Sequence, residues 1–379
     1  MKYLVYYDTP ANKAENRGYS PAAAAKIDYM CAVLNRLGVP VELISASVTG
    51  NRKGCGGKLV WLSEKTCLKL FPCMGIGKLT KRLLGRLLFQ LQLFFYLLFH
   101  IRKGEPMLVY HSLGYAGMVR LLRKLKKFRL ILEVEEVYGD VSGREWDRRK
   151  EFRLFSVADA YVLPTQLLNE TINPGKKPYV LLHGTYQAEP DRGSRLFADQ
   201  KIHCVYAGTL DLRKGGAMAA AAAAEYLPDC YHIHILGFGN REQTDCLREQ
   251  VNRIAKKSKC GISYDGMLSG EDYITFLQSC DIGLSTQNPD RVFNATSFPS
   301  KILPYMANGL QVVSVRIPAA EGSAVGEFLH YYDQQTPEAI ARAIQSVDLT
   351  DEEDGRQHIC NLDIQFAEDL LVLLEEKRK

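Results

Sequence analysis

Short apolar runs separated by helix-length segments limit this chain's possible folds more than any other feature, and they come in two series. The first half offers "KYLVYY", "VPVELISAS", "MLVYHS", "RLILEVEE", "DAYVLPT" and "YVLLHGT"; the second offers "KIHCVYAGT", "YHIHILGFG", "GISYDGM", "DIGLST" and "LQVVSV". Strands that alternate with helices imply parallel sheets, and 379 residues exceed what one core comfortably holds. The expected fold is α/β, with two doubly wound parallel-sheet domains. A polar stretch with Pro and Gly, Tyr186 to Lys201, reads as the linker. The predicted divisions are residues 1–185, a linker at 186–200, a second domain at 201–350 and a helical segment at 351–379, amphipathic from Gln365 onward. Pro21 is expected at the first position of a helix.

Composition excludes some classes. With 46% apolar and 24% charged residues, the chain reads as a soluble globular protein. Met1 to Thr9 reads as the start of a strand rather than a signal peptide. The ten cysteines lack paired metal spacing, which fits reduced thiols in a cytoplasmic protein. No Asp-x-Asp triplet, HExxH or Cys/His cluster occurs, so no metal site is expected, and nothing calls for nucleic acid. The charge is unevenly spread: residues 1–180 hold 29 Lys+Arg against 15 Asp+Glu, leaving 19 against 28 in the rest. One half therefore suits an anionic partner.

One segment departs from the soluble pattern. Leu79 to Ile101 is apolar around most of its circumference, with Lys78, Arg82, Arg86 and Gln90 on a narrow polar stripe. A second basic helix, Val119 to Arg129, carries Arg120, Arg123, Lys124, Lys126 and Lys127. Either the first helix lies in a membrane interface, held to anionic lipid by these cations, or it is a core helix of the first domain. The charge asymmetry favours the membrane.

In an open α/β sheet ligands gather beyond the C-terminal ends of strands. There "YAGTLDLRKGG" places Gly208, Arg213 and Lys214 near a helix start, which suits a diphosphate or is merely a basic turn. "ILGFGN" offers Gly237 and Gly239, where backbone can approach a ligand, but lacks the third glycine of a dinucleotide fingerprint. Gly266 in "YDGML" could border a base. "FNATSFPSKILPYMANGLQVVS" puts Thr296, Ser297, Phe298, Ser300 and Lys301 before a helix, either as a phosphate seat or as an ordinary N-cap. In the first half, Gly18 and Tyr19 lie in a loop after the first strand. His111 sits at a strand end, catalytic or structural, and Glu133, Glu135 and Glu136 cluster at another. Such acids could hold sugar hydroxyls, accept a proton or balance the basic helix.

The motifs "YAGTLDLRKGG", "HILGFGN", "YDGMLSGEDYITFLQSCDIGLS" and "SFPSKILPYMANGLQVVS", in this order, resemble the donor-binding domain of GT-B glycosyltransferases, close to glycosyltransferase family 4. "NRGYSPAA" and "ILEVEEVYGDV" resemble bacterial enzymes of capsular and exopolysaccharide synthesis. The resemblance implies two Rossmann-like domains facing a central cleft, with the last helix returning to the first domain. It implies a nucleotide diphosphate sugar as donor, a UDP-sugar being expected, and no cofactor. Lys214 and Lys301 would neutralise the diphosphate, with Arg213 assisting, Ser300 and nearby amides bonding to it, and Gly266 beside the base. Glu136, His111 and Lys301 are the expected catalytic residues, and Gly18 would approach the ligand across the cleft. The acceptor would be a lipid-linked glycan, reached from the cytoplasm at the inner face of the cell membrane. Two positions depart from the family: its Glu-x7-Glu pair falls on Thr296 and Pro304, and its arginine after the strand glycine is Thr209. A catalytically weak nucleotide-sugar-binding partner of a polysaccharide assembly complex is the alternative, and a nucleotide-sugar hydrolase or epimerase a third.

Overall fold

The computed structural model describes residues 1–193, 195–212, 215–289, 296–350 and 355–376. The chain forms two compact units, Met1–Thr185 with Gln365–Lys379, and Tyr186–Ile364. In the first, β1 (Lys2–Val5), α1 (Pro21–Arg36), β2 (Val41–Ser45), β3 (Lys58–Trp61), β4 (Thr66–Leu70), α2 (Leu79–His100), β5 (Pro106–Tyr110), α3 (Ala116–Lys126), β6 (Arg129–Glu133), α4 (Tyr138–Ser142), α5 (Glu145–Phe155), β7 (Ala160–Leu163), α6 (Gln166–Ile172) and β8 (Tyr179–Leu181) follow in order. Their sheet runs β3-β4-β2-β1-β5-β6-β7-β8, parallel throughout except for the β3–β4 hairpin. Helices cover both faces, so the inner strands are buried on both sides and read as continuous apolar runs. Ser20 caps α1, which opens at Pro21 as the sequence predicts.

The second unit holds β9 (Ile202–Thr209), α7 (Gly216–Ala223), β10 (Tyr231–Phe238), α8 (Arg241–Ala255), β11 (Gly261–Gly266), α9 (Gly270–Gln278), β12 (Ile282–Ser285), α10 (Ile302–Ala307), β13 (Gln311–Val315), α11 (Pro318–Glu321), β14 (Leu329–Tyr332), α12 (Pro337–Gln345) and α13 (Gly355–Glu375). Its six strands run β11-β10-β9-β12-β13-β14, all parallel. The stretch read as a linker is fastened along this unit. Glu189 N–H donates to the Ala307 carbonyl at 2.9 Å, Leu196 N–H to Ser279 Oγ at 2.9 Å, and the Phe197 ring stacks on His203 at 4.1 Å.

α2 is a core helix on one side only. Phe89, Leu93 and Leu97 enter the first unit's core, while Leu79, Leu83, Leu87, Leu91, Phe95 and Phe99 stay exposed. By length and composition it is the one helix among the described residues that could cross a membrane. The basic helix after it ends at Lys126, and its Arg123 is buried in an ion pair with Asp159 at 2.8 Å, so that cation is structural and not free for a lipid.

Candidate functional site

The second unit's sheet reverses its winding between β9 and β12, where a doubly wound sheet opens to a ligand. These strands pair only at Ile282–Cys204 and Gly283–Val205. Beyond that the buried Tyr305 hydroxyl enters between them, accepting from Ala207 N–H at 2.8 Å and donating to the Leu284 carbonyl at 3.4 Å. Gly283 makes room for that ring, since a Cβ there would meet it at 2.3 Å. One helical turn before Tyr305 stands Lys301. Its ammonium lies over the Tyr206 ring, 3.8 Å from the centroid, and 3.1 Å from where a Cβ on Gly208 would stand. The Tyr206 ring also packs against Gly216 at the start of α7, where a Cβ would come within 2.9 Å. One cation, a bare strand end and a helix start therefore converge on one tyrosine face, an arrangement suited to an anion.

Beside this lies a cavity of about 190 Å³, lined by Gly208, Gly237, Phe238, Met267, Leu268 and Tyr273 among others. Its floor requires glycine. Gly237 has φ +148, and a Cβ there would stand 1.8 Å from the Gly208 carbonyl oxygen. Gly266, at φ +80, ends β11 with nothing within 4 Å of a Cβ. Gly239 packs tightly ahead of α8, which Asn240 and Gln243 close with a reciprocal capping box. The cavity is apolar and small enough to suit one planar ring.

The loop before α10 differs in part from expectation. Lys301 itself occupies the N-cap position and its side chain makes no cap hydrogen bond, so neither Ser297 nor Ser300 is the N-cap residue. Thr296 and Ser297 are half-exposed, Phe298 is buried and Ser300 is exposed. Pro304 falls in the first turn, where its missing N–H removes no i−4 bond. Arg213 and Lys214 lie outside the described residues.

In the first unit the residues read as chemical divide sharply. His111 is 1% exposed, closed in by Tyr138, which stacks on it at 5.0 Å, and by Phe155. Burial lowers its pKa to about 3, and neither ring nitrogen has a hydrogen-bond partner among the described residues. Glu151 Oε2 approaches it at 3.6 Å, but burial raises that carboxyl to about 7 against the Tyr138 and Gly139 N–H groups it accepts. Burial drives both groups toward neutrality, so this is no strong ion pair. The reading of His111 as a catalytic group at an open strand end is thereby corrected: α4 and α5 fold over it. Glu133 is also fully buried, accepts from the Tyr3 hydroxyl, and is pushed up to about 7 by burial. Glu135 pairs with Lys26 at 2.5 Å instead of with the basic helix. Glu136, like Glu135, is half-exposed, whereas Glu133 is closed off.

Gly18 is exposed, and its N–H donates to the Val48 carbonyl at 3.1 Å. The residue before it went unread in the sequence. Arg17 is buried and donates to the carbonyls of Ser47, Phe71 and Gly56 at 3.0–3.1 Å, tying together the loops after β2 and β4. Burial of Glu15 is outweighed by hydrogen bonds from Lys58 and Arg17, which hold its carboxyl down at about 2. Tyr206 and Tyr305 were missed as well, though a tyrosine inside an apolar run signals a hydroxyl that needs a buried partner. Among the described residues no three His, Cys, Asp or Glu side chains converge as metal ligands.

Residues 201–347, within the second unit, match the family described as glycosyl transferases group 1, which supports a transferase enzyme. No curated protein matches the chain. Solved structures match over nearly its full length at low identity. Sucrose-phosphate synthase from Thermosynechococcus elongatus is 13% identical, with 98% of this chain and 97% of that one covered at a TM-score of 0.70. Anabaena HepE in complex with UDP and glucose is 12% identical, with 99% of each covered and a TM-score of 0.67. An α,α-trehalose-phosphate synthase from Burkholderia xenovorans in complex with glucose-6-phosphate is 9% identical, with 99% and 100% covered and a TM-score of 0.65. At such identities the likeness establishes the fold: two parallel-sheet α/β domains, as in the GT-B structures.

Proposed function

We propose that the chain is a glycosyltransferase that moves a sugar from a nucleotide diphosphate sugar, a UDP-sugar first among candidates, to a lipid-linked glycan in bacterial surface polysaccharide synthesis. The observation that carries this reading is the Lys301 ammonium over Tyr206, beside the bare backbone of Gly208 and the glycine-floored cavity. In this reading the base enters the cavity, the diphosphate crosses Gly208, and Lys301 meets the leaving phosphate. Charge grows on that phosphate as the sugar departs, so a fixed cation there acts more on the transition state than on binding. Arg213 and Lys214 stand close by in sequence, and Ser300 adds a hydroxyl. Glu136 is the group assigned to the acceptor. No divalent metal enters the mechanism, since cations of the chain take its place.

The exposed apolar face of α2, rimmed by Lys78, Lys81, Arg82 and Arg86, supports cytoplasmic placement with peripheral attachment to the inner face of an anionic membrane. Thr296 and Pro304 at the positions of the family's acids support the rival, a donor-binding partner with little turnover. One experiment separates the two. A thermal-shift panel of UDP, GDP, ADP and CMP compounds identifies the donor, and release of the nucleotide is then measured with and without lipid-linked acceptor. Stabilisation by a UDP compound with acceptor-dependent release is expected; binding without release supports the partner subunit, and no binding refutes both.

A further inference from the structure

Two hollows follow one another along α2. The first, of about 310 Å³, lies between the start of α2 and the loops after β1 and β2, and three exposed cations, Lys81, Arg82 and Arg86, line it. Gly18, Val48, Met74 and Ile76 are among the other lining residues, none of which is acidic. The second, of about 920 Å³, is an apolar groove between the later turns of α2 and the β3–β4 hairpin, walled by Leu59, Phe71, Leu88, Leu91, Phe95 and Phe99. The same chain segment forms the opposite wall of both, with Leu70 to Pro72 on the groove and Cys73 to Ile76 on the cationic hollow. On the helix, Lys81, Gly85, Leu88, Gln92, Phe95 and Phe99 are spaced by three or four residues and so share one face. Eighteen residues of rise make this face about 27 Å long. At Gly85 a Cβ would come within 3.2 Å of Met74, so the glycine lets the segment lie close to the helix.

A cationic hollow that continues into an apolar groove is complementary to one kind of molecule. We propose that this seam binds a phosphate- or diphosphate-headed lipid, with its head at Lys81, Arg82 and Arg86 and its hydrocarbon chain along Leu88 to Phe99; the inference rests on the lipid-linked acceptor proposed above. The three cations have no carboxylate in the hollow to neutralise them, and an anionic head supplies the missing countercharge. The groove exposes Leu88 at 42%, Leu91 at 43%, Phe95 at 49% and Phe99 at 76% of their surfaces, and a hydrocarbon chain would remove that apolar area from water. A bare carbohydrate acceptor has no use for the groove, and a purely apolar partner has none for the cations.

The test is calorimetric titration of the full chain with geranylgeranyl diphosphate, inorganic pyrophosphate and geranylgeraniol, each below its aggregation concentration. The diphosphate lipid is expected to bind at least ten-fold more tightly than either half. Arg82→Glu with Arg86→Glu, and separately Leu91→Asp, should each weaken it ten-fold or more. Lys124→Glu with Lys126→Glu, on α3 outside the seam, should leave it unchanged. Pyrophosphate or geranylgeraniol binding as tightly as the whole lipid overturns the proposal, as does equal weakening by the α3 reversals. UDP-induced thermal stabilisation, measured on every sample, reports folding and donor binding. Intact UDP stabilisation without lipid binding removes this inference and leaves the donor reading, whereas loss of UDP stabilisation in the unaltered chain removes the donor reading.

Discussion

Replacing Gly237 by alanine tests whether the cavity floor is as tight as the structure places it. The new Cβ would stand 1.8 Å from the Gly208 carbonyl oxygen and 2.9 Å from its carbon, across a pair in register between β9 and β10. Carbon–oxygen contacts settle at about 3.3–3.6 Å, so the two strand ends must part by roughly 1.5 Å. No rotamer change relieves this, because both atoms belong to backbone or Cβ. Overpacking of this kind costs about 1–3 kcal/mol, and a side chain held at φ +148 adds about 1–3 kcal/mol of backbone strain, giving about 2–6 kcal/mol together. Gly266→Ala is the control: φ is +80 there, but nothing lies within 4 Å of the added carbon, so only a strain of about 1–2 kcal/mol applies. Urea unfolding of the two variants is expected to separate them by at least about 1 kcal/mol. Gly237→Ala should also lose stabilisation by UDP, because Gly208 and the 190 Å³ cavity shift with the strand. Indistinguishable unfolding midpoints would refute the steric argument.

Lys301→Ala is expected to lower the maximal transfer rate by about 2–4 kcal/mol in barrier and to affect donor affinity less, with Ser300→Ala much milder; steady-state kinetics with a melting curve for each variant decides this. EDTA should leave transfer intact, and recovery of a lost rate by magnesium or manganese would contradict the cation assignment. The pH dependence of stability isolates His111. Its folded pKa of about 3 lies below the unfolded value, so its contribution is complete above about pH 6.5 and is lost as pH falls toward 3, by about 2 kcal/mol at pH 5. Glu133 and Glu151, raised to about 7, act in the opposite sense, since their contribution is full below about pH 4.5 and lost as pH rises through 7. The informative quantity is therefore a difference: His111→Phe should lose about 2 kcal/mol less than the unaltered chain between pH 7 and pH 5 in urea titrations.

Strands buried on both faces could be read from the sequence because their apolar runs are unbroken. That is why β1, β2, β5 to β7, β9, β10, β12 and β13 stand out, while the edge strands β8 and β11 are less buried and stand out by their Gly and Pro boundaries. The β3–β4 hairpin did not, since "KLVW" at the sheet edge alternates half-exposed and exposed residues and "TCLKL" beside it alternates buried and half-exposed ones, so neither gives an unbroken apolar run. β14, "LHYY", is only four residues long and has a single aliphatic residue. At the candidate site, the sequence singles out the glycines because bare backbone has a distinctive use, and Lys301 because it falls at a helix start; the structure brings Lys301 and Gly208 together around Tyr206. Tyr206 and Tyr305 were hidden inside apolar runs, where their ring and hydroxyl roles depend on partners remote in sequence. His111 was misread because strand-end position predicts exposure, whereas the covering residues Tyr138 and Phe155 come from later helices. The three histidines His203, His232 and His234, stacked under Phe197, also passed unnoticed, although "YHIHIL" places two of them on one strand face.

The final helix sets how the chain can be divided. α13 starts in the second unit and ends in the first, where the Arg129 guanidinium donates to the Leu373 and Leu374 carbonyls at 2.5 and 2.9 Å and Phe366 stacks on Tyr29. Those carbonyls are among the last four of the helix, where a guanidinium is favourably placed. The first unit is therefore discontinuous in sequence. A fragment cut after Thr185 would expose the Tyr29 face and deprive the buried Arg129 guanidinium of its two carbonyl acceptors, although the cut falls at the apparent boundary. Making that unit alone calls for a permuted chain in which residues 365–376 are joined by a short linker ahead of Met1.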